Sequence, residues 1–204
     1  MRTFVVIGHR AVTAPNFSLD DVPGTSGRLD VLLRSVASAF VVSHGIRRDT
    51  EAYMLLLGPP DPPRAVWIQG ERLRHLNPDE RTTAALFKKA LALQPSGATW
   101  LQSTPGIAVS KMKLEGILEK CKGRELVLLE EAGQDLHAWK PGPNPVFVLG
   151  DDKGFTDAEI AQVRKGGATQ LSLGPIAVHA DQAITIAHNY LDRTGGPSPH
   201  TMSP

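Results

Sequence analysis

Asn144-Pro145-Val146-Phe147-Val148-Leu149-Gly150-Asp151 is the stretch that decides the fold. Residues 146–149 form a short, wholly apolar run followed by Gly150. That is the form of a strand covered on both faces, as in a parallel sheet. Downstream, the pattern predicts a helix over 156–164, a strand over 170–173 and a helix over 180–191. The last carries Ala183, Ile186, Ala187, Tyr190 and Leu191 in one stripe. Upstream, 125–129 reads as a strand and 111–122 as a helix. Strands alternating with helices indicate an α/β domain with a mostly parallel sheet flanked by helices. In such sheets ligands bind at the carboxyl ends of strands, which singles out the loops after Leu149 and Leu173.

The N-terminal half repeats the alternation. Residues 3–7 form a strand ending at Gly8, and 27–44 has helical period with Leu29, Leu32, Leu33, Val36, Ala39 and Phe40 on one face. Gly45 is placed to close that helix. Apolar residues 52–57 give way to Gly58-Pro59-Pro60-Asp61-Pro62-Pro63, and a strand resumes over 65–68. Asn77 suits a helix N-cap, with Pro78 in the first turn and Glu80 reaching back. One domain is expected over 1–193, with a disordered tail over 194–204, whose Gly, Pro and Ser show no periodicity.

Composition narrows the class of function. A chain of 204 residues with 41% hydrophobic and 21% charged residues is ordinary globular protein. Its net charge of +1 excludes a strongly basic arm, although residues 1–102 hold 12 basic against 9 acidic side chains. The single Cys121 excludes a disulfide framework and fits a reducing, cytoplasmic setting. No stretch approaches the roughly 20 apolar residues of a membrane span. Seven histidines show no metal-ligand spacing, so no metal is expected.

Three segments carry chemistry. Gly150-Asp151-Asp152-Lys153-Gly154 lets backbone approach a ligand, although plain turns look alike. Leu173, Gly174, Pro175, Ile176, Ala177 and Val178 offer backbone amides beside an apolar wall, which suits a flat heterocycle; a buried connector would read the same way. Pro23-Gly24-Thr25-Ser26-Gly27 enters a helix N-terminus that could hold a phosphate, with Arg28 for a bidentate contact. Asp30 lies in the first turn, where a carboxylate commonly serves the helix dipole.

The segments 21–30, 43–49, 78–81, 103–107, 144–151 and 171–192 together resemble the archaeal tRNA pseudouridine-54 N1-methyltransferase family. The matches are collinear and extend to about Asp192. The resemblance implies a SPOUT fold with a C-terminal trefoil knot, over about 124–193, that binds S-adenosyl-L-methionine. Carried over by position, the cofactor pocket takes Leu129, Gly150, Leu173, Gly174, Pro175, Ile176, Ala177, Val178 and Ala183. Where the family's run is His-Ala-Asn-x-Cys, this chain reads His179-Ala180-Asp181-Gln182-Ala183.

The implied reaction moves a methyl group to N1 of a pseudouridine in tRNA, so a base must take the N1 proton. Asp30 and Asp49 are the candidates, and Arg28 could stabilise charge on the ring oxygens. Arg28, Arg47 and Arg48 are expected to face RNA. The family pairs through its knotted half, which implies a homodimer. Two rivals stand beside this reading: a methyltransferase of free nucleosides or other small molecules, and a knotted RNA-binding protein without catalysis.

Overall fold

The computed structural model describes residues 1–194. One eight-stranded sheet runs β10-β8-β9-β1-β4-β5-β7-β6. Its parallel part is β10 (Thr169–Ser172), β8 (Leu126–Asp135), β9 (Val146–Gly150), β1 (Arg2–Gly8) and β4 (Thr50–Leu56). β5 (Arg64–Gln69), β7 (Ile107–Ser110) and β6 (Leu101–Thr104) extend it antiparallel. A separate two-stranded ribbon joins β2 (Val41–Val42) to β3 (Gly45–Ile46).

Helices cover both faces. Phe4, Val6, Met54, Leu56, Phe147 and Leu149 point to the side of α2 (Leu29–Phe40), α3 (Glu80–Leu91) and α6 (Ala180–Thr194). Val5, Ile7, Tyr53, Leu55, Val146 and Val148 point to α4 (Leu114–Lys120) and α5 (Asp157–Lys165). Neighbouring residues of β1, β4 and β9 thus alternate between two cores, which is why their central and carboxyl-end positions, 4–7, 52–56 and 146–149, are apolar in unbroken runs. Fully burying each such side chain contributes roughly 1.5–3 kcal/mol.

Several boundaries differ from the sequence reading. The helix predicted over 27–44 stops at Phe40, and Gly45 opens β3 instead of closing the helix. Asp79, not Asn77, caps α3, accepting from the Thr82 amide at 2.8 Å. α6 runs on to Thr194, so residue 194 is helical; the rest of the expected tail, 195–204, lies outside the described residues. The β6–β7 hairpin was not foreseen. It turns at Pro105-Gly106, with Gly106 at φ 81°, where glycine is at home. Of the stripe, Ala183, Ala187 and Leu191 are buried within the chain and Ile186 and Tyr190 half-buried: α6 packs on α2 and the sheet, and Tyr190 stacks on Trp139. Among the described residues, no helix is long and apolar enough to cross a membrane.

A buried charge cluster fastens α6 at the amino ends of the strands. Arg2, 3% exposed, binds Asp49 at 3.2 Å, Asp192 at 2.8 Å and His188 Nδ1 at 3.0 Å. The opposite ring nitrogen of His188 donates to the Ala39 carbonyl at 3.1 Å. That sets the tautomer, since arginine can only donate. Burial, with the Arg47 and Arg2 charges adding to it, pushes the His188 pKa down to about 3.

Candidate active site at the carboxyl ends of β1 and β9

β1 and β9 are adjacent and parallel, so Gly8 and Gly150 release their loops side by side. The two loops are tied by one histidine. The His9 amide donates to Asp151 Oδ2 at 2.7 Å, its Nδ1 lies 3.0 Å from Asp151 Oδ1, and its Nε2 lies 3.0 Å from Glu159. Carboxylates only accept, so the ring satisfies both by carrying two protons. Burial disfavours that charge, but the hydrogen bonds to Asp151 and Glu159 and their negative charge outweigh it, and the His9 pKa is raised. Glu159 also accepts from the Thr156 amide at 2.8 Å, closing the capping box of α5. Asp151 further accepts from the Lys153 amide at 2.9 Å. Arg10 pairs with Asp152 at 2.6 Å. The 151–154 loop is therefore held from both sides.

Arg28 stands at the head of α2 with φ 70°, a left-handed conformation unusual for a side-chain-bearing residue. Its Nε and Nη2 reach the two oxygens of Asp30 at 3.0 and 3.3 Å, and Arg34 adds a third contact at 2.8 Å. Burial opposes ionisation of Asp30, yet hydrogen bonds from Arg28 and Arg34 prevail and hold its pKa below the ordinary range. Asp30 is 3% exposed and Arg28 43%, so the guanidinium faces outward from a buried anchor. Asp152 and Asp151 add their field at Arg28.

The expected cofactor segments lie on the same edge. Leu129 in β8, Gly150 ending β9 and the connector after β10 occupy neighbouring parallel strands. In the connector Ile176 is 77% and Val178 40% exposed. Among the described residues, the amides of Ile176, Ala177 and Val178 donate to no protein acceptor. Exposed apolar side chains beside unpaired amides fit an adenine, which needs covered faces and hydrogen bonds along one edge. Ala183 is buried against the core at the start of α6.

Other expected residues lie elsewhere. Asp49 is at the amino ends of β1 and β4, bound to Arg2, a strand's length from Gly150. Arg47 is paired with Asp192 at 2.6 Å, and Arg48 donates to the carbonyls of Gly70 and Leu73. The 23–27 segment folds on itself: Asp21 caps α1 (Val22–Thr25), and a Cβ on Gly27 would lie 2.0 Å from the Arg10 carbonyl oxygen. The space there is filled by protein, so that segment is no phosphate cradle. Gly150 likewise abuts the Gly154 carbonyl, where a Cβ would lie 2.2 Å away. Its glycine serves the loop's own turn, and Gly150→Val would break that turn before it blocked any pocket. His9, Arg10, Arg34 and Glu159 were not picked out from sequence; Gly8-His9-Arg10 at a strand end, and the helical spacing of Arg34 from Asp30, were their local signals.

A family model described as "Putative SAM-dependent RNA methyltransferase" matches residues 1–195. The chain belongs to that family. This methyltransferase is 44% identical to the tRNA (pseudouridine(54)-N(1))-methyltransferase of Methanosarcina mazei, over 95% of this chain and 92% of the relative. It is 46% identical to the protein of that name from Haloarcula marismortui, over 96% and 98%. Its fold resembles that of Archaeoglobus fulgidus Nep1 bound to S-adenosylhomocysteine, with TM-score 0.68, 14% identity and coverage of 95% and 98%. The methyltransferase uses S-adenosylmethionine, as its family does.

Proposed function

We propose that the enzyme methylates N1 of a pseudouridine in tRNA, at position 54 or a related site, in the cytoplasm and as a homodimer with a knotted C-terminal part. What carries this reading is the alignment, over nearly the whole of both chains, with relatives bearing that name. The strand-edge geometry supports it. Bound S-adenosylmethionine supplies the methyl group, and the sulfur leaves as the neutral thioether. The connector amides and Ile176 and Val178 orient the nucleoside part. Arg28, fixed by Asp30, meets negative charge building on the uracil ring oxygens as N1 loses its proton. Of the two carboxylates considered for that proton, Asp30 is the one at this edge, but its lowered pKa makes it a poor base, so it fixes Arg28 and water takes the N1 proton.

Beside the alignment, the knot is given weak support by an irregular, closely packed ladder between β8 and β10. β10 lies beyond β8 from β9, and β8 leaves its ladder between Leu128 and Gln134 while β10 advances one residue, from Gln170 to Leu171. There a Cβ on Gly133 would lie 2.4 Å from the Leu171 carbonyl carbon, so the two backbones lie together with no room for a side chain. Pulling the chain by its ends should leave it shorter than full extension, and a fully extended trace would exclude the knot.

The test of function is an assay with S-adenosylmethionine and tRNA transcripts carrying pseudouridine or uridine at position 54, read by nucleoside mass spectrometry. Methylation confined to the pseudouridine transcript is expected. Equal methylation of free pseudouridine would favour the small-molecule rival, and cofactor binding without methylation of either would overturn catalysis of this reaction.

A further inference from the structure

We propose that the loop after β5, at the opposite end of the sheet from the active site, docks the phosphate backbone of the RNA. The inference rests on the tRNA reading and adds the surface that would hold the substrate's distal part. Gly70 turns the chain out of β5, its amide donating to the Thr50 carbonyl at 2.8 Å. Leu73, 1% exposed, anchors the turn, leaving Arg72 and Arg74 on either side of it pointing outward. Arg48 locks the loop from below through the Gly70 and Leu73 carbonyls, at 3.0 and 2.5 Å. The Pro105-Gly106 turn packs beneath, so close that a Cβ on Gly106 would lie 2.6 Å from the Leu73 amide nitrogen. Arg48, Arg72, Arg74 and Gln102 line a depression of about 510 Å³ in which Glu71 is the one acid.

What sets this loop apart is charge left unspent. Arg2, Arg10, Arg28, Arg34, Arg47, Arg64, Arg81, Arg124 and Arg164 are all paired with carboxylates. Among the described residues, the arginines that form no ion pair are Arg48, Arg72, Arg74 and Arg193, and three of these four line this depression. Unneutralised guanidiniums on a rigid, concave floor are suited to bidentate contacts with phosphate oxygens. The ligand must be long. β4 spans seven residues between this end and the active-site end, roughly 23 Å at strand rise. A free nucleoside at the active site could not touch the loop, whereas a folded RNA reaches both.

The test uses the full chain with S-adenosylmethionine and tRNA. Replacing Arg72→Gln and Arg74→Gln together should weaken tRNA affinity about tenfold at moderate salt and flatten the log–log salt slope by about 1.5, as loss of two phosphate contacts does. KM for tRNA should rise while kcat, S-adenosylmethionine affinity and the thermal midpoint stay put. Arg72→Lys with Arg74→Lys should restore most of the slope; if the Lys pair loses as much as the Gln pair, charge is not the cause and the inference falls. Unchanged tRNA affinity and slope in the Gln pair would overturn it too. A wild-type chain that neither binds nor methylates tRNA would instead overturn the functional reading on which it rests.

Discussion

Arg28 holds a left-handed backbone that costs of order 1–3 kcal/mol, and the two-point grip of Asp30 holds the side chain in place. Lysine keeps the charge but cannot make that grip. Arg28→Lys should therefore lower kcat about tenfold or more while leaving the cofactor's dissociation constant unchanged, as calorimetry beside steady-state assays would show. His9 makes a second prediction, in pH. Its charged ring clamps the 151–154 loop, and its pKa is raised in the folded chain. A raised histidine gives its full stabilisation below the unfolded value of about 6.5 and loses it as pH rises through the folded value. If the clamped loop serves the cofactor, its affinity should weaken as pH rises above the free histidine value of about 6.5 in the wild type, and stay flat in His9→Gln. A parallel pH profile in both would remove His9 from the site.

The connector between β10 and α6 turns on Gly174, at φ 136°, a conformation L residues rarely adopt, with open space around it. Gly174→Ala should weaken cofactor binding several-fold yet scarcely move the thermal midpoint, because the strain falls on an exposed segment. Gly150→Ala, driven against the Gly154 carbonyl, should lower both. A calorimetric and thermal comparison of the two separates backbone freedom from crowding. These strand ends were legible because residues 4–7, 52–56 and 146–149 are unbroken apolar runs, a signal that survives without partners. Ser43-His44-Gly45 reads equally as a helix end or a hairpin turn, and only pairing of Val41 with Ile46 decides it. The contacts of His9 with Asp151 and Glu159 join residues 142 and 150 positions apart, so no local spacing could announce them. The partners of Asp30 are local, Arg28 two residues before it and Arg34 one helical turn after, so that cluster is legible in the spacing.

On the scale of the molecule, the site sits at one end of the sheet and the fastening of α6 at the other. Most of the stripe of α6 is covered within the chain, which leaves the half-buried Ile186 and Tyr190 as its part open to a second copy. Light scattering at micromolar concentration should show a dimer, and Ile186→Asp should shift it toward monomer; a fully active wild-type monomer would exclude the shared site. The fastening itself has a use at the bench. His188 has one ring proton donated to Ala39, an arginine on its other nitrogen and the edge of Phe4 against its ring. With a pKa of about 3 it does not titrate where the enzyme would be assayed. In a nitrogen-15 spectrum its imidazole should give a fixed, slowly exchanging signal, an internal standard beside which the moving resonance of His9 can be followed.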